Sequence, residues 1–373
     1  MLDDLAKKVG RGAGRLKRGF DRKIGRTERP HIVAYRGYGN HDRVFVSGRV
    51  LRDPAITRPR ADDAWWINLI NTYKRVESDE IPGARVRVEL NGATQEVTTD
   101  EEGYFRAMLP APAASEFLWH PVELQLLEPA PEEGADSRTV GQVLIPSREA
   151  QFGVISDLDD TVIRTEVTSL LRMLKTVVLQ NAATRLPFPG VAAFYQALQN
   201  GRAGTDPVNP IFYVSSSPWN LYDLLEEFLV IQQIPVGPLV LRDWGIGVHP
   251  GRSAKHKTEA IAHIFETIPS LRFILIGDSG QEDPEIYREI VQRYPGRVQA
   301  IYIRNVTPHP ERSASIRKLI DEVTAAGSTM LLTDDTLSAA QHAAAHGWLH
   351  PRAVENVEND RRADRARTGE EKS

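Results

Sequence analysis

The sequence predicts an α/β protein: a parallel sheet with helices on both faces, preceded by a small antiparallel β-sandwich domain. Three observations predict it. From Ala150 onward, short apolar runs alternate with helical stretches, the pattern of a parallel sheet. Three of those runs stop abruptly at polar residues, Asp157, Ser215 and Asp278. That places polar chemistry at the carboxyl edge of the sheet, where open α/β folds bind ligands. Between residues 43 and 147, by contrast, apolar and polar residues alternate with period two.

The bulk numbers narrow the function classes. A chain of 373 residues is long enough for two domains with ordinary cores. The formal net charge of −4 argues against a nucleic-acid partner by bulk electrostatics. The absence of Cys excludes disulfides, thiolate metal sites and Cys nucleophiles. Apolar runs stay well short of the roughly 20 residues of a membrane span. The first 30 residues lack the apolar centre of a signal peptide. A cytoplasmic protein is expected, with peripheral attachment to the inner membrane surface as an option.

Residues 1–29 hold ten Lys or Arg and four acids. Leu2, Leu5, Val9, Leu16, Phe20 and Ile24 fall within an arc of about 100° on a helix. An apolar stripe opposite a cationic face fits an anionic membrane surface. Five Gly in the segment, each costing a helix about 1 kcal/mol, leave a frayed solvated tail as the alternative. Residues 30–148 read as the β-sandwich. Its strands include Val44–Val50, Ala84–Leu90 and Val122–Leu126, with Asn91-Gly92 and Asp100–Gly103 as turns. Trp65–Tyr73 reads as an inserted helix. Nothing in this region looks catalytic, so it is a lid, a docking module or a spacer.

Residues 149–350 read as the α/β domain. Strands are expected at Phe152–Ile155, Ile211–Val214, Leu239–Leu241, Phe273–Gly277, Val298–Ile303 and Met330–Leu332. Pro189-Gly190 opens a helix, Ser253 caps another, Asp283 starts a third, and an Ala-rich helix runs from about Leu337 to Ala345. Thr165–Asn181, rich in Leu, Val and Met, reads as a helical flap that admits an acyl chain or simply packs on the core. Residues 351–373 are highly charged with few large apolar residues, so disorder is expected from about Val354.

The chemistry starts at Asp157-Leu158-Asp159-Asp160-Thr161. Acids at i and i+2 after a buried strand suit a nucleophile, Asp157, and a proton shuttle, Asp159. Each piece has an ordinary alternative: acids and Ser cap helices and make turns, and a Lys on a helix is usually solvated. Their coincidence in this order is what argues for catalysis.

Asp157-x-Asp159-x-Thr161, Ser215, Lys257, and Gly277-Asp278 followed by Asp283 resemble the four motifs of the haloacid dehalogenase-like phosphatases. The longer strings Ser156–Val162, Tyr213–Tyr222, Leu241–Gly245 and Leu275–Tyr287 resemble the catalytic domain of the actin-patch-associated phosphatidate phosphatase family, over about residues 150–305. The resemblance implies a Rossmannoid sheet and Mg²⁺-dependent hydrolysis of phosphatidate to diacylglycerol through an aspartyl-phosphate. It implies Asp157, Asp159, Asp278 and Asp283 as metal ligands, the second through its backbone carbonyl. Asp157, Asp159, Ser215 and Lys257 are the catalytic set it implies, with Lys255 as the alternative lysine and Ser216 as the alternative serine. Ser216 and Arg242 are candidates for contacting the substrate. Two other readings stay open: a phosphatase of a soluble or macromolecular ester, because such motifs leave the leaving group undetermined, and a non-catalytic scaffold.

Overall fold

Two sheets organise the chain. The computed structural model describes residues 29–53, 79–112, 117–130, 137–158, 189–204, 206, 208–242, 252–306 and 309–368. The inserted helix expected at 65–73, the flap at 165–181 and the segment 1–28 lie outside the described residues.

The first sheet contains β1 (Arg29–Gly39), β2 (Arg43–Asp53), β3 (Asp79–Glu80), β4 (Arg85–Leu90), β5 (Ala93–Thr98), β6 (Tyr104–Pro110), β7 (Trp119–Glu128) and β8 (Arg138–Leu144). Strands β4, β6 and β7 bury every second residue, so the period-two reading holds there. Val86, Val88, Phe105, Leu109, Val122, Leu124 and Leu126 are buried together. Each contributes about 1.5–3 kcal/mol through its burial. The Asn91-Gly92 turn joins β4 to β5, as its composition predicted.

The expected sandwich of two sheets is instead one hydrogen-bonded sheet, ordered β3-β2-β1-β8-β7-β4-β5, with β6 also paired to β2. The far edge of β2 is divided between β6 and the two-residue β3. Gln95 Oε1 accepts from the Met108 amide, tying β5 across to β6. The β1–β8 pair is parallel, and the other pairs are antiparallel.

The second sheet contains β9 (Gly153–Asp157), β10 (Ile211–Pro218), β11 (Leu239–Arg242), β12 (Phe273–Asp278), β13 (Val298–Arg304) and β14 (Thr329–Thr333). All its pairs are parallel, in the order β11-β10-β9-β12-β13-β14. Among the described residues its helices are α1 (Val191–Asn200), α2 (Tyr222–Ile231), α3 (Arg252–Thr267), α4 (Asp283–Arg293), α5 (Pro310–Ala325), α6 (Thr336–Ala345) and α7 (Ala353–Thr368), with a 3₁₀ turn at Trp219–Leu221. Side chains of α1, α2, α6 and α7 pack on one face with Val154, Tyr213 and Tyr302. Those of α3, α4 and α5 pack on the other with Ile155, Phe212 and Leu275. The chain runs outward from β9 to β10 and β11, then crosses to β12 on the other side. The carboxyl end of β9 is therefore the topological switch point, where a crevice opens.

Two helices depart from expectation. α5 is carried by a sparse pattern, Ile316, Leu319 and Val323, at helical spacing. The disorder expected from Val354 is replaced by α7, which packs on α1 with Val357 fully buried. Its acids have a structural job. The helix α1 opens at Gly190 with no capping side chain of its own. Asp364 Oδ2 accepts from the Gly190 amide at 2.9 Å and Asp360 Oδ2 from the Ala193 amide at 3.2 Å. Gly190 has φ +82°, and a Cβ there would lie 2.9 Å from the Val357 carbonyl oxygen, so glycine is required.

The two sheets meet through β1. Tyr35 stacks on Trp219 at 4.5 Å and touches Tyr222. Tyr222 Oη accepts from the Arg36 amide, and Arg36 pairs with Glu226. Tyr38 Oη bonds His263 Nδ1 at 2.7 Å, and Asn40 donates to the Thr267 carbonyl. The β domain is docked against α2 and α3 and against the turn that follows the serine run.

Candidate active site

Strand β9 delivers Asp157 to the switch point. Its backbone turn is braced from the α1 side. Ser156 Oγ donates to the Asp157 carbonyl at 2.8 Å and lies 2.7 Å from Tyr195 Oη. A hydroxyl has one proton, so Tyr195 donates in the second bond. Burial pushes the Tyr195 phenol up to about 12, which keeps that proton in place at neutral pH.

Strand β12 runs beside β9 and ends in Gly277-Asp278. Asp278 Oδ1 accepts from the Gly280 amide at 2.6 Å and the Gln281 amide at 3.2 Å. Five residues on, Asp283 opens α4, and its Oδ2 accepts from the Asp278 amide at 3.1 Å. This close approach needs Gly277. A Cβ there would sit 2.5 Å from Asp283 Oδ2 and 2.8 Å from Asp283 Cβ.

From the other face, α3 inserts Lys257. Its Nζ lies 2.8 Å from Asp157 Oδ1, 2.9 Å from Asp283 Oδ1 and 3.1 Å from Gln281 Oε1. The three charged side chains are 2% (Asp157), 0% (Asp283) and 3% (Lys257) exposed. Lys255 points away: it is 75% exposed and pairs with Glu259 one turn on. Of the two lysines left open by spacing, the fold brings Lys257 to the acids.

One oxygen from each of Asp157, Asp278 and Asp283 lies within 4.8 Å of the others, the only such group of three among the described residues. At that separation two like charges repel by about 3 kcal/mol at an effective dielectric near 20. One ammonium against three carboxylates leaves two negative charges in the cluster. Buried charge of that sign needs a counter-cation, and an all-oxygen donor set suits a hard divalent ion such as Mg²⁺.

The remaining predicted residues lie on neighbouring strands or outside the described residues. Ser215 is fully buried within β10, which continues to Pro218 rather than stopping at the serine. It lies one residue beyond the Val214–Asp157 register pair, and its Oγ accepts from the Ser217 amide. Ser216 follows it and is 8% exposed. Arg242 ends β11 opposite Pro218, two strands removed from Asp157. Asp159 and Thr161 lie outside the described residues.

Sequence reasoning missed Gln281 and Arg304. Gln281 stands within a motif string, but only the fold shows its side chain on Lys257. Arg304 ends β13 in register with Asp278 and donates to Thr336. Burial lowers its guanidinium to about 10, so it stays cationic at neutral pH. A signal for it existed: Arg304 terminates an apolar strand just as Asp157 and Asp278 do.

Residues 152–305 match the family model described as Phosphatidate phosphatase APP1, catalytic domain. The chain is 34% identical over 156 residues to Phosphatidate phosphatase APP1 of Saccharomyces cerevisiae, covering 41% of this chain and 26% of that protein. It is 27% identical over 216 residues to an uncharacterized protein of Schizosaccharomyces pombe, covering 56% of this chain and 34% of that one. The chain thus spans about a quarter to a third of the length of these curated relatives. Among solved structures, a carbohydrate acetylesterase from Xanthomonas citri aligns over 90% of this chain and 74% of its own, at 11% identity and a TM-score of 0.33, too low to define a shared fold. The resemblance read from the motifs is thus shared by the family model and by a relative of known name.

Proposed function

We propose, from the premise that residues 152–305 resemble the catalytic domain of the APP1 phosphatidate phosphatases, that this protein removes phosphate from phosphatidate to give diacylglycerol. The observation that carries the reading is the buried Asp157–Lys257–Asp283–Asp278 cluster at the switch point, inside the matched stretch. In this reading the parallel sheet is of the haloacid dehalogenase-like type.

Asp157, Asp278 and Asp283, with the Asp159 backbone carbonyl, would hold Mg²⁺. When bound, the ion offsets the repulsion between these carboxylates and a nearly dianionic phosphate. The protein's own residues then act in two displacements. An oxygen of Asp157 attacks phosphorus, the bond to the glycerol oxygen breaks, and Asp159 supplies the proton to that oxygen. Asp159 next takes a proton from water, which attacks phosphorus and releases phosphate from Asp157. Lys257 grips Asp157 Oδ1, orients the carboxylate, and neutralises phosphoryl charge as it develops. Ser215 donates a hydrogen bond to a phosphoryl oxygen, with Ser216 beside it, and Arg242 contacts the head group. Residues 1–29 add a cationic apolar stripe that suits docking on an anionic membrane from the cytoplasmic side. Among the described residues no helix is long and apolar enough to cross a membrane.

The test is phosphate release from phosphatidate in mixed micelles and from a small soluble monoester, with Mg²⁺, with EDTA, and with Asp157→Asn. Release from phosphatidate that EDTA and the substitution both abolish is expected. Release from the soluble ester alone would keep the mechanism and discard the lipid. Release from neither would return weight to the scaffold reading.

A further inference from the structure

Arg312 lies outside the matched stretch, in the first turn of α5. A cation is disfavoured there, because a helix N-terminus carries partial positive charge. Its partners explain the placement. Nε donates to the Ser279 carbonyl at 2.9 Å, and Nη2 donates to the Gln281 carbonyl at 2.5 Å. Both terminal nitrogens also reach the Glu285 carboxylate, Nη2 at 3.0 Å. One planar fork therefore joins three pieces of chain: α5, the loop 279–282, and the first turn of α4.

Those pieces present the site. The loop supplies the Gly280 and Gln281 amides that hold Asp278 Oδ1, and the Gln281 side chain that meets Lys257 Nζ. Glu285 stands two residues after Asp283 on the same helical turn. The loop is also anchored by the Ser279 amide, which donates to the Arg304 carbonyl. Ser279 Oγ accepts from the Val306 amide at 3.0 Å. Between Asp278 and Asp283 the chain makes no regular structure, so its geometry depends on these bonds.

We propose that Arg312 is a positioning residue for the carboxylate cluster. It sets the 279–282 loop so that two amides fix the Asp278 carboxylate and Gln281 fixes Lys257, and through Glu285 it sets the turn that presents Asp283. A lysine cannot replace it, because a single ammonium cannot span two carbonyls and a carboxylate in one plane. The importance of the cluster rests on the phosphatase reading. The placement of the loop does not.

The experiment uses the full chain. Amide hydrogen exchange of Gly280 and Gln281 is read by NMR, Mn²⁺ affinity by calorimetry, and turnover by phosphate release. Arg312→Gln is expected to speed exchange at the two amides about tenfold while β-domain amides keep their rates. It should weaken Mn²⁺ about tenfold, the size typical of lost support behind a metal ligand, and lower kcat more than it raises KM. Arg312→Lys should restore neither protection nor affinity. Wild-type exchange at Gly280 and Gln281 in Arg312→Gln, or full rescue by lysine, would overturn the proposal. If Arg312→Gln fails to fold, Glu285→Gln decides. It leaves the carbonyl bonds available and should produce a smaller rise at the same two amides, and no rise there would count against the proposal. A wild-type protein that neither binds Mn²⁺ nor releases phosphate would defeat the phosphatase reading, while the exchange data would still judge Arg312.

Discussion

At the residue scale, the site is a balance of charge. Lys257 stands between Asp157 and Asp283, each within 2.9 Å. Removing the cation from a buried group costs about 3–5 kcal/mol. Lys257→Met is therefore expected to lower the metal-free unfolding free energy by about 3 kcal/mol. Mg²⁺ should then raise the melting temperature of the variant more than that of the wild type, because the ion takes over the missing charge. A thermal melt with and without Mg²⁺ checks this, and equal shifts would argue against a cation site. Asp157→Asn keeps the shape and a hydrogen-bond acceptor for Lys257 but removes the proposed nucleophile. Turnover should fall more than about a thousandfold with the melting temperature in EDTA little changed. Asp157, Lys257, Asp278 and Asp283 were legible one by one from their positions after strands or on a helix. The choice of Lys257 over Lys255 rested on the motif resemblance, because residues two apart on a helix point in different directions and spacing does not say which direction is inward.

At the element scale, the strands of the parallel sheet were legible because each is a short apolar run, and both faces are covered. The antiparallel strands were legible from alternation, but their closure into one sheet depends on pairings between β2, β3 and β6 that leave no local pattern. The helix α7 was misread for a related reason. Its charge suggested a solvated tail, yet Asp360 and Asp364 cap α1, and Arg361 pairs with Asp335. Charge that is satisfied by a partner far along the chain looks the same in a sequence as charge satisfied by water. Asp364→Ala should cost about 1 kcal/mol, the usual value of a lost cap. Chemical denaturation would detect it, and an unchanged midpoint would mean that water replaces the carboxylate.

At the scale of the whole molecule, the β domain is fixed to the α/β domain through Tyr35, Arg36, Tyr38 and Asn40. Tyr38 bonds His263, whose imidazole burial holds below its ordinary value, with Arg43 adding to the effect and Glu266 opposing it. Burial also lowers His120 and His342, the latter with help from His346. A histidine whose folded value is depressed binds its proton more readily when unfolded. Stability is then whole above the unfolded value of about 6.5 and falls as pH drops through that value toward the folded ones. The melting temperature should be lower at pH 5.5 than at pH 7.5, and His263→Gln should narrow the gap. A gap of the same size in the variant would remove His263 from the account. Residues 1–28 belong to this scale as well. Their removal stops short of β1, and it should weaken binding to anionic liposomes more at low salt than at high salt. Equal binding by the shortened protein would refute the anchor.

By itself the sequence marked the strand ends at which the buried acids gather. Apolar runs mark buried strands, and a carboxylate at the end of such a run is costly unless something uses or compensates it, so Asp157 and Asp278 stood out without coordinates. Only the tertiary structure decided the company those acids keep. It put Lys257 between Asp157 and Asp283, brought Gln281 to Lys257, placed Arg312 behind the loop, and turned a charged tail into the cap of α1. The physical reason is range. Burial and periodicity act over a few residues and leave a local trace, whereas hydrogen bonds and ion pairs between distant segments exist only once the backbone has brought their partners together.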